Sequence, residues 1–274
     1  LGSFKTRNVL SALVRISRDQ TGSKSIVAAS TGNHGVAIAW AAGLLRLQST
    51  IFLSSFTAGR VRSLIEGFGG VVILGGSTYD ECRDEAADWA NRVGAVVVEA
   101  TNNYDVLCGA ATITLEVIRE LTTPFTILTS VGGGSQAAGA ASVIQSFDCH
   151  GCRVIGVQAS AAPAIYESWK ARCVKRVPAG RTLASGLATS EPYEATFMML
   201  LNGLSDFVLV SESELRMAMA VGARRSGRFV CGAGAAALAG FLRVAGQLTT
   251  ADVVIVLSGR VDSDVIGYEL KDQD

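Results

Sequence analysis

The sequence predicts an α/β fold built as two parallel-sheet domains. Short apolar runs rich in β-branched residues alternate with longer segments of helical periodicity almost throughout the chain, the pattern of strand–helix–strand units. The runs are near-continuously apolar, as strands buried on both faces must be. Several of them end in turns made of glycine, serine, threonine and asparagine.

Between residues 25 and 100 the strand segments are 25–30, 50–54, 71–74 and 95–99. Helical segments at 33–47, 59–68 and 79–93 lie between them. In the last, Cys82, Ala86, Ala87, Trp89, Ala90 and Val93 share one face, with Glu81, Arg83, Asp84, Asp88 and Arg92 largely elsewhere. Four strands joined by three helices make a compact parallel unit. A second series follows: helix 106–121, strand 125–131, helix 135–145 and strand 153–158. The stretch 161–196 holds Pro163, Pro178 and Pro192 and reads as less regular. Strand 206–210, helices 212–225 and 234–245, and strand 252–257 complete the second unit.

Composition narrows the function classes. The 274 residues are 49% hydrophobic and 18% charged, which suits a folded chain with real cores. Twenty-four basic and 24 acidic residues cancel, with no long run of either sign. Neither a nucleic acid nor an anionic membrane surface is therefore expected as a partner. The longest apolar stretches are strand-sized, well short of a membrane span. Cys82, Cys108, Cys149, Cys152, Cys173 and Cys231 follow no framework spacing, which predicts a reducing, cytoplasmic setting.

Three segments carry chemistry. Gly132-Gly133-Gly134-Ser135 stands between a strand and a small-residue helix. Consecutive glycines let backbone N–H groups converge on an anion, and the helix N-terminus adds a favourable dipole. Phosphate binding is favoured there over a bare turn. The ending of a nucleoside-triphosphate loop is absent, as is an acidic residue for a dinucleotide ribose, so the expected ligand is a monophosphate. Ser30-Thr31-Gly32-Asn33-His34-Gly35 repeats the strand-to-helix logic. Ser30 or Thr31 can cap the helix, whose free N–H groups can hold a carboxylate. The same residues are also ordinary turn formers, and an isolated histidine such as His34 is more often structural than catalytic. Gly2-Ser3-Phe4-Lys5 offers a lysine that becomes a Schiff-base candidate when set beside a phosphate site. Together these are the parts needed to hold pyridoxal phosphate. Ser258-Gly259 ends the last strand, at the edge where ligands collect. Cys149-His150-Gly151-Cys152 lacks the further ligands a zinc site needs and reads as a surface connection.

In order and spacing these segments resemble the fold-type II pyridoxal phosphate enzymes, in their threonine/serine dehydratase and serine racemase branch. Gly109 with Thr112 and Gly186-Leu187-Ala188 add to the resemblance, which covers essentially the whole chain. Asn33-His34-Gly35 tilts it away from the cysteine synthase and tryptophan synthase branches. The resemblance implies a fold of the tryptophan synthase β-subunit-like type. Its small αβ domain would span 25–103, inserted in a large cofactor-binding domain of 1–24 and 104–274 whose N-terminal part is missing. Pyridoxal 5'-phosphate would be joined to Lys5, with Asn33 on its ring hydroxyl and Gly132, Gly133, Gly134 and Ser135 around its phosphate. Ser258 would face the pyridine nitrogen. Ser30, Thr31, Asn33 and His34 would line the loop for the carboxylate of a small amino-acid substrate. The assembly implied is a homodimer.

The activity implied is deamination of L-threonine or L-serine by β-elimination, giving a 2-oxo acid and ammonia. Lys5 would take the α-proton. A serine at 258 cannot keep the ring nitrogen protonated as a carboxylate would, so the electron sink is weaker and prompt loss of a β-substituent is favoured. Racemisation needs an acid–base group on the opposite face, a place that Thr31 matches. Threonine synthase-like β-replacement is a further alternative, and a catalytically silent truncated relative acting as a binding module is another. Five positions depart from the family pattern. Cys231 stands in place of glutamate, Leu1 in place of threonine, and Arg260-Val261 in place of a small residue and asparagine. Gln158 replaces a metal-ligating carboxylate, so no divalent-metal site is expected.

Overall fold

The computed structural model describes residues 1–19, 22, 24–57 and 59–260. Val261 and the rest of the expected large-domain range to 274 lie outside the described residues. Two parallel sheets of four strands each organise the chain.

The first half runs α1 (Lys5–Arg18), β1 (Ser25–Ser30), α2 (Asn33–Leu45), β2 (Gln48–Ser54), α3 (Gly59–Gly67), β3 (Val71–Gly75), α4 (Tyr79–Val93) and β4 (Val96–Val97). The second runs α5 (Tyr104–Glu120), β5 (Phe125–Ser130), α6 (Ser135–Ser146), β6 (Arg153–Ala159), α7 (Ala164–Ala171), α8 (Glu194–Gly203), β7 (Asp206–Val210), α9 (Glu212–Ser226), α10 (Gly232–Val244) and β8 (Asp252–Ile255). A short 3-10 turn, Ser185–Leu187, precedes α8. Sheet orders are β3-β2-β1-β4 and β7-β6-β5-β8. In each, the founding strand sits between neighbours reached in opposite directions. Crevices at the carboxyl ends of such strands are where open α/β sheets bind ligands. Both glycine-containing turns singled out in the sequence leave from these two strands, β1 and β5.

Burial explains why these residues take these elements. β1 is buried along nearly its whole length and β5 entirely, as expected of central strands covered by helices on both faces. Helix α2 is apolar all round and buries eight residues from His34 to Ala42, so it runs through the interior of its layer. Helix α1 places Val9, Ala12 and Leu13 in one core with Ile26, Ile38 and Ile51. Its other side meets α5 at Gly109, where a Cβ would strike the Arg7 and Asn8 backbone. Helix α5 in turn meets α6 at Gly139, where a Cβ would lie 2.8 Å from Ala111 N. These two close approaches set the distance from the lysine helix to the glycine nest. Arg7 reinforces the stack from outside, with its fork on both Glu116 oxygens at 2.6 and 2.9 Å and on Thr112 Oγ1 at 3.1 Å.

Some expectations need correction. The stretch 161–196 contains all of α7 and the start of α8. Ser168 Oγ donates to Ala164 O at 2.7 Å and accepts from Lys175 N at 2.9 Å, which adds to the packing of Ile165, Tyr166 and Trp169 in holding the short α7. Strand 95–99 shortens to Val96–Val97 because its only partner is β1, through two residues. Val93, placed on the buried face of α4, is 52% exposed beside the left-handed Gly94 that ends the helix. The 149–152 segment is a turn between α6 and β6, and both its cysteines are free.

Candidate active site

One cleft between the sheet ends collects Lys5, Ser30, Thr31, Asn33, His34, Gly132, Gly133, Gly134, Ser135 and Ser258. Its space of about 950 Å³ includes the open mouth. Among its lining residues Lys5 is the one ammonium, and no carboxylate is present.

Lys5 opens α1. Its Nζ donates to Ala100 O at 3.2 Å and to Ser135 Oγ at 3.4 Å, and lies 4.8 Å from the Phe4 ring centre. Burial without an acidic partner lowers its pKa from 10.5 to about 8. Asn8, one turn along α1 and fully buried, donates from Nδ2 to the same Ser135 oxygen at 3.4 Å. Two donors thus converge on Ser135 Oγ, which leaves its own hydrogen to point elsewhere, toward the cleft.

Gly132, Gly133 and Gly134 turn from β5 into α6. Gly134 is left-handed, with φ 87°, and α6 has no side-chain cap at its N-terminus. Helix starts leave N–H groups without intrahelical acceptors, and here they open on the cleft. A Cβ at Gly132 would sit 2.6 Å from Gly186 O, and one at Gly133 would collide with Thr101. The cradle therefore admits only backbone. Thr196 Oγ1 donates to Gly133 O at 2.7 Å and fixes the loop from α8.

The turn from β1 into α2 is built differently. Ser30 Oγ accepts from Gly32 N at 3.0 Å and from Gly35 N at 2.8 Å, so it caps α2 from two residues outside the Gly32 cap position. His34 is 5% exposed, and its Nε2 donates to Val98 O at 3.0 Å. Burial first, and then the Lys5 charge, lower its pKa to about 3, so the ring is neutral. Thr31 and the half-buried Asn33 complete this wall. Asn33 Nδ2 lies 3.9 Å from Cys231 Sγ, and Cys231 caps α10 through Gly234 N at 3.4 Å. Ser258 is 6% exposed, with a long 3.4 Å contact from Oγ to Ala233 O. Its carbonyl receives Phe4 N–H at 3.0 Å, which ties the lysine turn to the residues after β8.

Residues 1–259 match the family described as Pyridoxal-phosphate dependent enzyme. The chain belongs to this family. It is 33% identical over 266 residues to an L-threonine ammonia-lyase of Geobacter sulfurreducens, covering 97% of this chain and 66% of that protein. A catabolic L-threonine dehydratase of Staphylococcus aureus is 32% identical over 241 residues, covering 88% of this chain and 69% of that one. The chain thus spans about two thirds of the length of these curated relatives. The crystal structure of a threonine deaminase from T.th. superposes with a TM-score of 0.85 at 27% identity, over 94% of this chain and 83% of that one.

The cleft fits the family's cofactor on its own observations. A backbone-only nest, an uncapped helix start and an outward-turned Ser135 hydroxyl suit a phosphate. A lysine lacking an acid partner suits a carbonyl carbon. Sequence reading missed Thr101, Tyr79, Tyr193 and Gln136, which line the cleft, and Asn8, which bonds Ser135 on that lining. Asn8 had a readable signal, its three-residue spacing from Lys5 on a helix. Tyr79 and Gln136 lie in the first turns of α4 and α6, and Thr101 and Tyr193 in connections whose placement depends on the whole fold. Gln158 is buried, with Oε1 accepting Tyr166 N at 3.0 Å. No group of three metal-ligating side chains occurs among the described residues, and no helix among them is long and apolar enough to cross a membrane.

Proposed function

We propose that this chain is a pyridoxal phosphate-dependent ammonia-lyase acting on L-threonine or L-serine, with release of a 2-oxo acid and ammonia. The observation that carries this reading is the chemistry of the cleft wall: a lysine of lowered pKa, a backbone nest, and a hydroxyl rather than a carboxylate at position 258. Pyridoxal phosphate, when bound, supplies the electron sink that makes an amino acid's α-proton removable.

Lys5 anchors the cofactor and, once displaced by the substrate amine, takes the α-proton at Nζ. Its pKa of about 8 leaves a neutral fraction near pH 7, which both tasks need. Gly132, Gly133, Gly134 and Ser135 hold the phosphate, Asn33 the ring hydroxyl, and Ser258 faces the ring nitrogen. A hydroxyl there limits the sink and favours prompt loss of a β-substituent. The loop of Ser30, Thr31, Asn33 and His34 receives the substrate carboxylate, with Thr31 best placed for any acid–base role on the far face. The division into 25–103 and 1–24 with 104–274 belongs to the same reading, with α1 packed on both α2 and α5. So do a homodimer, open to light scattering, and a reducing cytoplasm, supported by six cysteines that form no disulfide among the described residues.

Protein purified with pyridoxal phosphate should show the absorbance band of a lysine-bound cofactor and release 2-oxo acid from threonine or serine. Lys5→Ala should lose both; if both persist, the reading is wrong.

A further inference from the structure

The cleft has one wall that the proposed chemistry leaves without a task. Lys5, Ser135, the glycine nest, the 30–34 loop and Ser258 on its lining already have roles in that chemistry. The remaining wall carries Tyr79 and Tyr193 beside Thr101 and Thr189. Tyr79 is the first residue of α4, on the first sheet, and Tyr193 is the residue that precedes α8, on the second. The two phenols therefore meet across the cleft from opposite halves of the molecule.

We infer that Tyr79 and Tyr193 form a specificity wall that recognises the β-hydroxyl of the amino-acid substrate through phenol hydrogen bonds. This rests on the reading under Proposed function, because the side chain is the part of such a substrate that the other walls leave over. Neither phenol makes a hydrogen bond to another described residue. Each is half-buried, and both stand on the cleft lining. Burial raises both pKa values, Tyr193 to about 12, with Asp80 as its next cause, and Tyr79 by burial and then the nearby Tyr193. Both stay protonated donors at any working pH. No carboxylate stands on the cleft lining itself, with Asp80 and Glu99 near both phenols but outside that lining. A neutral hydroxyl fits it.

The test uses full-length holoprotein and the variants Tyr79→Phe and Tyr193→Phe, which keep ring volume. Titrating the cofactor absorbance with L-serine and L-alanine reads binding without turnover. The wild type should prefer serine. Each variant should weaken serine binding about tenfold, the scale of one lost hydrogen bond, and leave alanine binding unchanged. Turnover of serine should fall similarly, while turnover of β-chloroalanine, whose halide is a poor acceptor, stays within about twofold. Equal losses for serine and alanine, or no loss for either, would overturn the proposal. Failure of the lyase reading shows separately, as a wild-type protein that prefers serine in binding yet releases no 2-oxo acid from it.

Discussion

The turns that leave β1 and β5 are built on one plan and finished in opposite ways. Both join a buried central strand to a helix at the point where the strand order reverses. At the β1 turn, Ser30 Oγ takes the N–H groups of Gly32 and Gly35, and His34 is locked to Val98 O. That turn satisfies its own backbone and presents side chains. At the β5 turn no side chain caps α6, and glycines bring bare N–H groups to the cleft. Its N–H groups are left without a side-chain cap, which suits the anion proposed for it. Capping thus distinguishes a turn that shapes a loop from one that binds a charge.

Overfilling the β5 turn gives the sharpest break in this contrast. Gly132→Ala should lower cofactor affinity about a hundredfold, from overpacking of up to ~3 kcal/mol against the Gly186 carbonyl. Gly133→Ala should be partly rescued by Thr101→Gly, since there the clash is with a side chain. Equilibrium titration of the apoprotein with pyridoxal phosphate reads both. A crossed pair comes next. Ser135→Ala should cost about tenfold in cofactor affinity with little change in Tm. Ser30→Ala should cost about 1–2 kcal/mol of stability, lowering Tm by about 2–6 °C, with cofactor affinity within about threefold. If the two variants behaved alike, the distinction between the turns would fail.

The smallest effect is a pH dependence at the β1 turn. His34 has a folded pKa of about 3, below the unfolded 6.5. Between those values the unfolded chain binds the extra proton, so stability is full above pH 6.5 and falls on acidification. This site alone should contribute about 0.7 kcal/mol of loss between pH 7 and pH 6. Urea midpoints of His34→Gln should lack that component, because glutamine can still donate to Val98 O.

Much of this was legible in the sequence. Strand and helix positions followed from periodicity, and both turns followed from glycine and cap chemistry at strand ends. What periodicity could not supply was contact between distant segments. Helix α7 is a two-turn helix held by Tyr166 and Trp169 against the distant Phe207 and by Ser168 reaching across to Lys175. Tyr79 reads as an ordinary first-turn residue and Tyr193 as a loop residue after a proline, until the two halves fold against each other. The sequence leaves the cap of α2 to Ser30 or Thr31; Ser30 supplies it, from two residues upstream of the Gly32 cap position.

The hydrogen bond from Phe4 N–H to Ser258 O joins residues 254 positions apart. On the ribosome the lysine turn emerges long before residue 258, and it stays without its floor until β8 and the residues after it have followed. Domains fold as they are made, N-terminal parts first, yet this site is finished by a segment synthesised late. Cofactor capture should therefore be a late event that clasps the two segments together and marks a chain whose synthesis has passed residue 258.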